Sequence, residues 1–165
     1  MFTKEKYLKM SAPFREHPGR IRMLLWVNRI LTVLAYVSYI GCGFLLVLQH
    51  SPWIIRYLLV PGTLFAAVSI FRMSWNMPRP YEQWEIRPLL PKETSGKSFP
   101  SRHVFSMAMV AMAVWSVYPP LGAVLLIAAA VLAWIRVAAG VHFPRDVIAG
   151  ALIGIGFGIF GFWMI

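Results

Sequence analysis

Residues 104–135 form a run of 32 residues without one charged side chain, interrupted only by Pro119-Pro120 and Gly122. Hydrocarbon offers no hydrogen-bond partner to a peptide group, so a run of this kind must satisfy its backbone internally, as helix. The proline pair divides it into two helices joined by a tight turn. Three more apolar runs cover residues 30–48, 57–71 and 147–165. A span needs about 20 residues. The second run is short, but the bracketing Arg56 and Arg72 can snorkel and one helical turn can extend each end. Pro61 either kinks that helix or lies in its first turn. The expectation is an all-α integral membrane bundle of about five transmembrane helices, forming a single domain over residues 1–165. Its composition agrees: 59% of residues are hydrophobic and 13% charged.

Outside the spans, residues 1–22 are polar and basic, with Phe2, Tyr7, Leu8 and Met10 interleaved among lysines. An interfacial helix is expected up to Pro13, ending before the break at His17-Pro18-Gly19. Residues 73–100 form the long polar connection and are expected to act as the active-site loop, because a connection of this length in a compact bundle is usually functional. Trp75, Tyr81 and Trp84 within it suit the membrane–water boundary. Gly150, Gly154 and Gly158 recur at four-residue spacing, which lets helices approach closely in lipid. Packing inside the bundle is the plain reading of that stripe, and a homodimer seam is the sharper one. Cys42 is the single cysteine, so no internal disulfide can form. The net charge of +10 lies beside apolar segments, which points to lipid headgroups or phosphate and away from nucleic acid.

Five spans bring three distant polar clusters to one membrane face. Arg72-x6-Arg79-Pro80 follows the second span, and Pro100-Ser101-Arg102-His103 begins the third. Arg136 ends the fourth, and His142-x3-Asp146 leads into the fifth. Singly, each has a plain explanation: arginines anchor to headgroups, an interfacial histidine is structural, and Asp146 caps a helix. Together they suit an anion. Pro100 fits a helical first turn, where free N–H groups cradle phosphate. Arg72, Arg79, Arg102 and Arg136 present forked donors that match phosphate oxygens. Asp146, four residues after His142, can accept from one ring nitrogen and leave the other free to attack. His17 and His50 have no such partners and receive no role.

The three elements resemble the motifs of the type 2 phosphatidic acid phosphatases, membrane lipid phosphatases related to the vanadium haloperoxidases. Those motifs read Lys-x6-Arg-Pro, Pro-Ser-Gly-His and Ser-Arg-x5-His-x3-Asp. Here Arg72 stands for the lysine, Arg102 for the glycine and Ile135 for the serine. No departure removes a proton-transfer group. The family core commonly has six spans, and this chain is expected to lack one of them at the N-terminal end, before the motif region. The resemblance implies His142 as nucleophile, Asp146 as its orienting partner, and His103 as acid and then base. Arg72, Arg79, Ser101 and Arg136 are implied as phosphate ligands, with no metal and no cofactor; Arg102, where the family has glycine, is a further candidate phosphate ligand that either binds the phosphate itself or points out to the headgroup. The implied function is hydrolysis of a lipid phosphate or pyrophosphate through a phosphohistidine. Undecaprenyl pyrophosphate, phosphatidylglycerophosphate and phosphatidic acid are candidate substrates. The alternatives are a lipid phosphotransferase, or a non-catalytic lipid-binding or transport protein on the same fold.

Fifteen of the sixteen Lys and Arg residues fall on the motif face, with only Arg56 opposite. Setting aside the four motif arginines leaves eleven against one. The positive-inside rule then expects the site on the cytoplasmic face of the cell membrane.

Overall fold

A computed structural model describes residues 2–91 and 95–164. Residues 92–94 of the expected active-site loop, Met1 of the basic segment and Ile165 of the expected last span lie outside the described residues. The described residues are helical with no strand, and the protein is a multi-pass membrane bundle.

Helix α1, Lys4–Arg15, starts at Thr3, whose side chain accepts from the Lys6 amide at 3.4 Å. Glu5 in its first turn and Arg15 in its last complement the helix dipole. The helix runs through Pro13 and stops at the His17-Pro18-Gly19 break, two residues later than expected. Pro18 is then the first residue of α2, Pro18–Leu48, where its missing N–H costs nothing. The 31 residues of α2 extend about 46 Å, so its first turns, with Arg20, Arg22 and Arg29, project beyond the hydrocarbon. Residues 18–22 therefore belong to a long membrane helix and not to a separate basic segment.

Helix α3 is Trp53–Trp75, and Pro61 lies in its interior, beyond the first turn. Tyr39 of α2 and Tyr57 of α3 stack at 4.7 Å, and each hydroxyl donates to the other residue's carbonyl, at 3.0 and 2.9 Å. This exchange satisfies both buried hydroxyls and ties the hairpin at the end remote from the motifs. After the short α4, Pro80–Gln83, come α5, Arg102–Val117, and α6, Pro119–Ala138, divided at Tyr118 as the proline pair requires. Helix α7, Pro144–Ile159, continues into a wider π turn, Phe160–Met164.

Among the described residues, four helices are long and apolar enough to cross a bilayer, counting α7 with its π turn. Helix α5, at 16 residues, is shorter. It forms the core of the bundle, with Val104, Phe105, Ala108, Ala111, Ala113 and Val114 wholly buried. A helix shielded from lipid by its neighbours need not match the hydrocarbon thickness. Helix α7 packs tightly against α5. A Cβ on Gly150 would meet the Ser101 carbonyl at 2.7 Å, one on Gly154 the Phe105 carbonyl at 2.8 Å, and one on Gly158 the Met112 Cβ at 2.5 Å. The Gly150, Gly154 and Gly158 stripe is thus consumed inside the chain by α5. That face cannot serve as a seam with a second copy, which corrects the homodimer reading.

Helix α1 does more than lie on a membrane surface. Tyr7 and Ser11 are fully buried, and Arg15 donates to the Tyr7 hydroxyl at 3.0 Å and to the Arg87 carbonyl at 2.6 Å. Trp84 meets Phe2, Tyr7 and Phe143 at ring distances of 5.9, 6.0 and 5.3 Å, so it joins α1 to the α6–α7 turn. Leu89 and Leu90 pack with Leu24, Ile135 and Val141, and the Leu89 amide donates to the Ala139 carbonyl at 3.0 Å. The connection between α3 and α5 is therefore pinned between α1 and the end of α6.

Gly154→Leu should force α7 from α5 and cost about 1–3 kcal/mol, typical of overpacking a tight interface. In detergent its melting temperature should fall clearly, whereas Gly156→Ala, whose Cβ meets nothing within 4 Å, should leave it unchanged. Equal melting of both variants would contradict this packing.

Candidate active site

The site is built where α6 ends and α7 begins. Gly140, at φ +72°, turns the chain just after α6 in a conformation that favours glycine. A Cβ there would also meet the Tyr7 hydroxyl at 2.6 Å. The turn sends Val141 and His142 back over the helix end, with both amides donating to the Arg136 carbonyl at 3.2 Å. Pro144 then opens α7 as expected, and Asp146 lies in its first turn.

His142 is 1% exposed. Its Nδ1 lies 3.6 Å from Asp146 Oδ2 and 3.5 Å from Ser98 Oγ, while its Nε2 lies 3.4 Å from Arg79 Nη1. A guanidinium can only donate, so this arrangement suits a proton on Nδ1 and a lone pair on Nε2. Burial lowers the pKa of the ring below the ordinary value of 6.5, and the nearby Arg136 and Arg79 charges lower it further. The hydrogen bond and charge of Asp146 oppose them without overcoming them. His142 is thus neutral at neutral pH, the form a nucleophilic imidazole requires.

Asp146 serves both readings of its position. Oδ2 accepts from the Phe143 amide at 3.0 Å, capping α7, and from Ser98 Oγ at 2.5 Å, beside His142. Its main-chain carbonyl accepts from the Ser101 amide at 2.8 Å, which fastens the start of α5 to α7. Arg145 Nε approaches the other carboxylate oxygen at 3.6 Å. Ser98 was missed by the sequence reading. It is one hydroxyl in a loop of Thr, Ser, Gly and Lys, and no spacing ties it to a carboxylate 48 residues away.

Arg72 and Arg79 reach the same loop. Arg72 donates to the carbonyls of Lys97, Ser98 and Pro100, and Arg79 donates from Nε to Gly96 at 2.8 Å and from Nη1 to Val141 at 3.3 Å. Glu82 accepts from the Arg79 and Gly96 amides at 2.7 and 2.9 Å, which fixes the loop around the guanidinium. Arg136 is buried with its Nε unpaired, and Ser101 is buried with its hydroxyl unpaired. Three buried guanidiniums face one buried carboxylate, an imbalance in a low-dielectric setting that suits an anion. Among the described residues no three His, Cys, Asp or Glu side chains gather as a metal site would.

Two expectations change. Pro100 precedes the helix and does not lie in its first turn; Ser101 is the N-cap, and α5 starts at Arg102. Arg102 is exposed and stands outside the buried cluster, with its guanidinium carbon 5.6 Å from the centre of the Phe65 ring. His103, on the first turn of α5, lines a cavity of about 200 Å³ with Arg102, Thr32, Phe65, Met107 and Leu132. Ile135, in the place of the motif serine, is 2% exposed and packs among Leu24, Leu89, Leu90 and Val141.

A family model described as the PAP2 superfamily matches residues 53–165. The chain belongs to the PAP2 superfamily. The match contains Arg72, Arg79, Ser98, Ser101, Arg102, His103, Arg136, His142 and Asp146, while α1 and α2 precede it. The chain is similar to "Putative undecaprenyl-diphosphatase YbjG" of Escherichia coli (strain K12), 33% identical over 111 residues that cover 60% of this chain and 52% of that protein. It thus spans about half the length of this relative. Its fold is similar to the crystal structure of LpxE from Aquifex aeolicus, at TM-score 0.68 and 24% identity, covering 95% of this chain and 92% of that one. It is also similar to a PAP2-type phosphatidylglycerolphosphate phosphatase from Bacillus subtilis, at TM-score 0.63 and 19% identity, covering 94% and 90%.

Proposed function

We propose that this chain is a membrane lipid phosphatase that works through a phosphohistidine at His142. The observation that carries the reading is His142 itself. A fully buried neutral imidazole directs Nε2 toward Arg79 and Nδ1 toward Asp146 and Ser98. A merely structural histidine has no need of such an environment. The family membership and the name of the Escherichia coli relative, a putative undecaprenyl-diphosphatase, support phosphate hydrolysis on a lipid.

In the first step the Nε2 lone pair attacks phosphorus, and a P–N bond forms as the P–O bond to the lipid breaks. The leaving oxygen takes that electron pair and a proton from His103. Arg72, Arg79 and Arg136, with the Ser101 hydroxyl, hold the equatorial oxygens and stabilise the charge that develops. Asp146 stabilises the positive imidazole directly. Ser98 does so through its hydroxyl, accepting from Nδ1–H while donating to Asp146. In the second step His103 removes a proton from water, the hydroxide attacks phosphorus, and the P–N bond breaks to return the electron pair to Nε2. The connection between α3 and α5 acts as the active-site loop by supplying the carbonyls that aim Arg72 and Arg79. The cavity beside His103 takes the lipid chain. The excess of basic residues on the motif face supports a cytoplasmic site.

His142→Ala should abolish phosphate release, and His103→Ala should lower it at least ~100-fold, in purified variants whose melting stays cooperative. Ser98→Ala should lower kcat more than it raises KM, with Ser98→Thr restoring part of the loss. Variants turning over phosphatidic acid and prenyl diphosphates at wild-type rates would refute the mechanism and favour a lipid-binding protein. For sidedness, Lys9→Cys and His50→Cys, at exposed positions on opposite faces, can be labelled in intact cells with an impermeant thiol reagent. Labelling at position 50 but not at position 9 is expected; the reverse pattern would place the site outside.

A further inference from the structure

The PAP2 motif resembled here has glycine where this chain has Arg102, and the fold sets this arginine apart from the others. Arg72, Arg79 and Arg136 are 7%, 3% and 4% exposed, whereas Arg102 is open to its surroundings and lies over the Phe65 ring. Its charge is still close enough to act on both Arg72 and Arg79. Arg102 and His103 share the cavity between α2, α3, α5 and α6, whose other walls include Ala35, Phe65, Met107 and Leu132. Tyr36 and Phe65, on the same cavity, are 63% and 45% exposed on the lipid-facing surface. The order is thus Arg72 and Arg79 in the interior, then Arg102 close to both, and then the largely apolar cavity that Arg102 shares with His103.

That order has two cationic centres on the way to the hydrocarbon. A lipid monophosphate would occupy the cradle with its single phosphoryl group and place carbon next to Arg102. A lipid diphosphate has a second phosphate between the reacting group and the chain. We propose that Arg102 binds the phosphate that remains with the lipid, and so makes this site selective for lipid diphosphates over monophosphates. The inference rests on the phosphatase reading above. The bond that breaks is then the one from the terminal phosphorus to the bridging oxygen. That oxygen leaves as part of a lipid monophosphate, with its charge shared between the His103 proton and the Arg102 guanidinium. Water completes the cycle and releases inorganic phosphate. The ring of Phe65 holds the guanidinium over the cavity mouth, so less side-chain freedom is lost when the substrate binds. An arginine that merely anchors α5 to surrounding headgroups would bind either substrate equally.

The test compares farnesyl diphosphate with farnesyl monophosphate, which share one chain, on the full-length protein in detergent. Arg102→Gly installs the family residue. It should lower the ratio of kcat/KM for diphosphate over monophosphate at least ~10-fold, the scale of one lost charge-assisted contact. Arg102→Lys should keep most of that ratio, because the charge remains. A ratio unmoved by Arg102→Gly would overturn the assignment, whether both activities fall together or neither does. Phosphate release from neither lipid by the wild-type protein would instead overturn the phosphatase reading, and this inference with it.

Discussion

The Asp146 carboxylate is the interaction on which the rest of the site depends. One oxygen accepts from the Phe143 amide and from Ser98, and lies beside His142 Nδ1, while the main-chain carbonyl of the same residue accepts from Ser101. Through these contacts a single residue joins the start of α7, the α6–α7 turn, the loop that precedes α5 and the first residue before α5. Removing one partner of a buried charged set costs about 3–5 kcal/mol, because the others are left uncompensated. The stripe of Gly150, Gly154 and Gly158 serves the same end. It brings α7 so close to α5 that the two helix starts share hydrogen bonds.

The electrostatics follow from the membrane. A bundle of apolar helices has few places to keep three guanidiniums, and here Arg72 and Arg79 are held by the protein's own carbonyls at residues 96–98, 100 and 141. Those bonds satisfy part of each arginine and fix its direction, while Arg136 Nε and the Ser101 hydroxyl stay unpaired in the interior. A phosphoryl group supplies both the negative charge and the acceptors that this arrangement lacks. Trp84 packs its ring against Phe2, Tyr7 and Phe143, and His103 lines a separate cavity between α2, α3, α5 and α6.

Much of this was readable from the residues. Uncharged runs and prolines located every long helix, and span parity brought Arg72, Arg79, Ser101, Arg136, His142 and Asp146 to one face. The structure places these six together among buried groups. What escaped the sequence depends on three-dimensional packing. The place of Ser98 is set by a loop that folds back on α7, which no periodicity encodes. Tyr7 looked like a membrane-surface aromatic because amphipathic spacing cannot distinguish lipid from the turn at Gly140. The direction of Arg102, toward the phosphate or out to the headgroup, stayed open in the sequence although its neighbours Ser101 and His103 are motif residues. A helix start points adjacent side chains in different directions, and its guanidinium went to Phe65. The glycine stripe was legible as a close contact, but its partner was not, because spacing does not name the opposing helix.

The account stands on a covalent bond between phosphorus and His142 Nε2. Its most direct test is to quench the enzyme in parallel in alkali and in acid during turnover of a terminally ³²P-labelled lipid diphosphate and map the labelled peptide by mass spectrometry. The account predicts an acid-labile, alkali-stable phosphate on His142, absent from His142→Ala. Label on the buried Ser98 or Ser101 hydroxyl, stable to acid and lost in alkali, would contradict it.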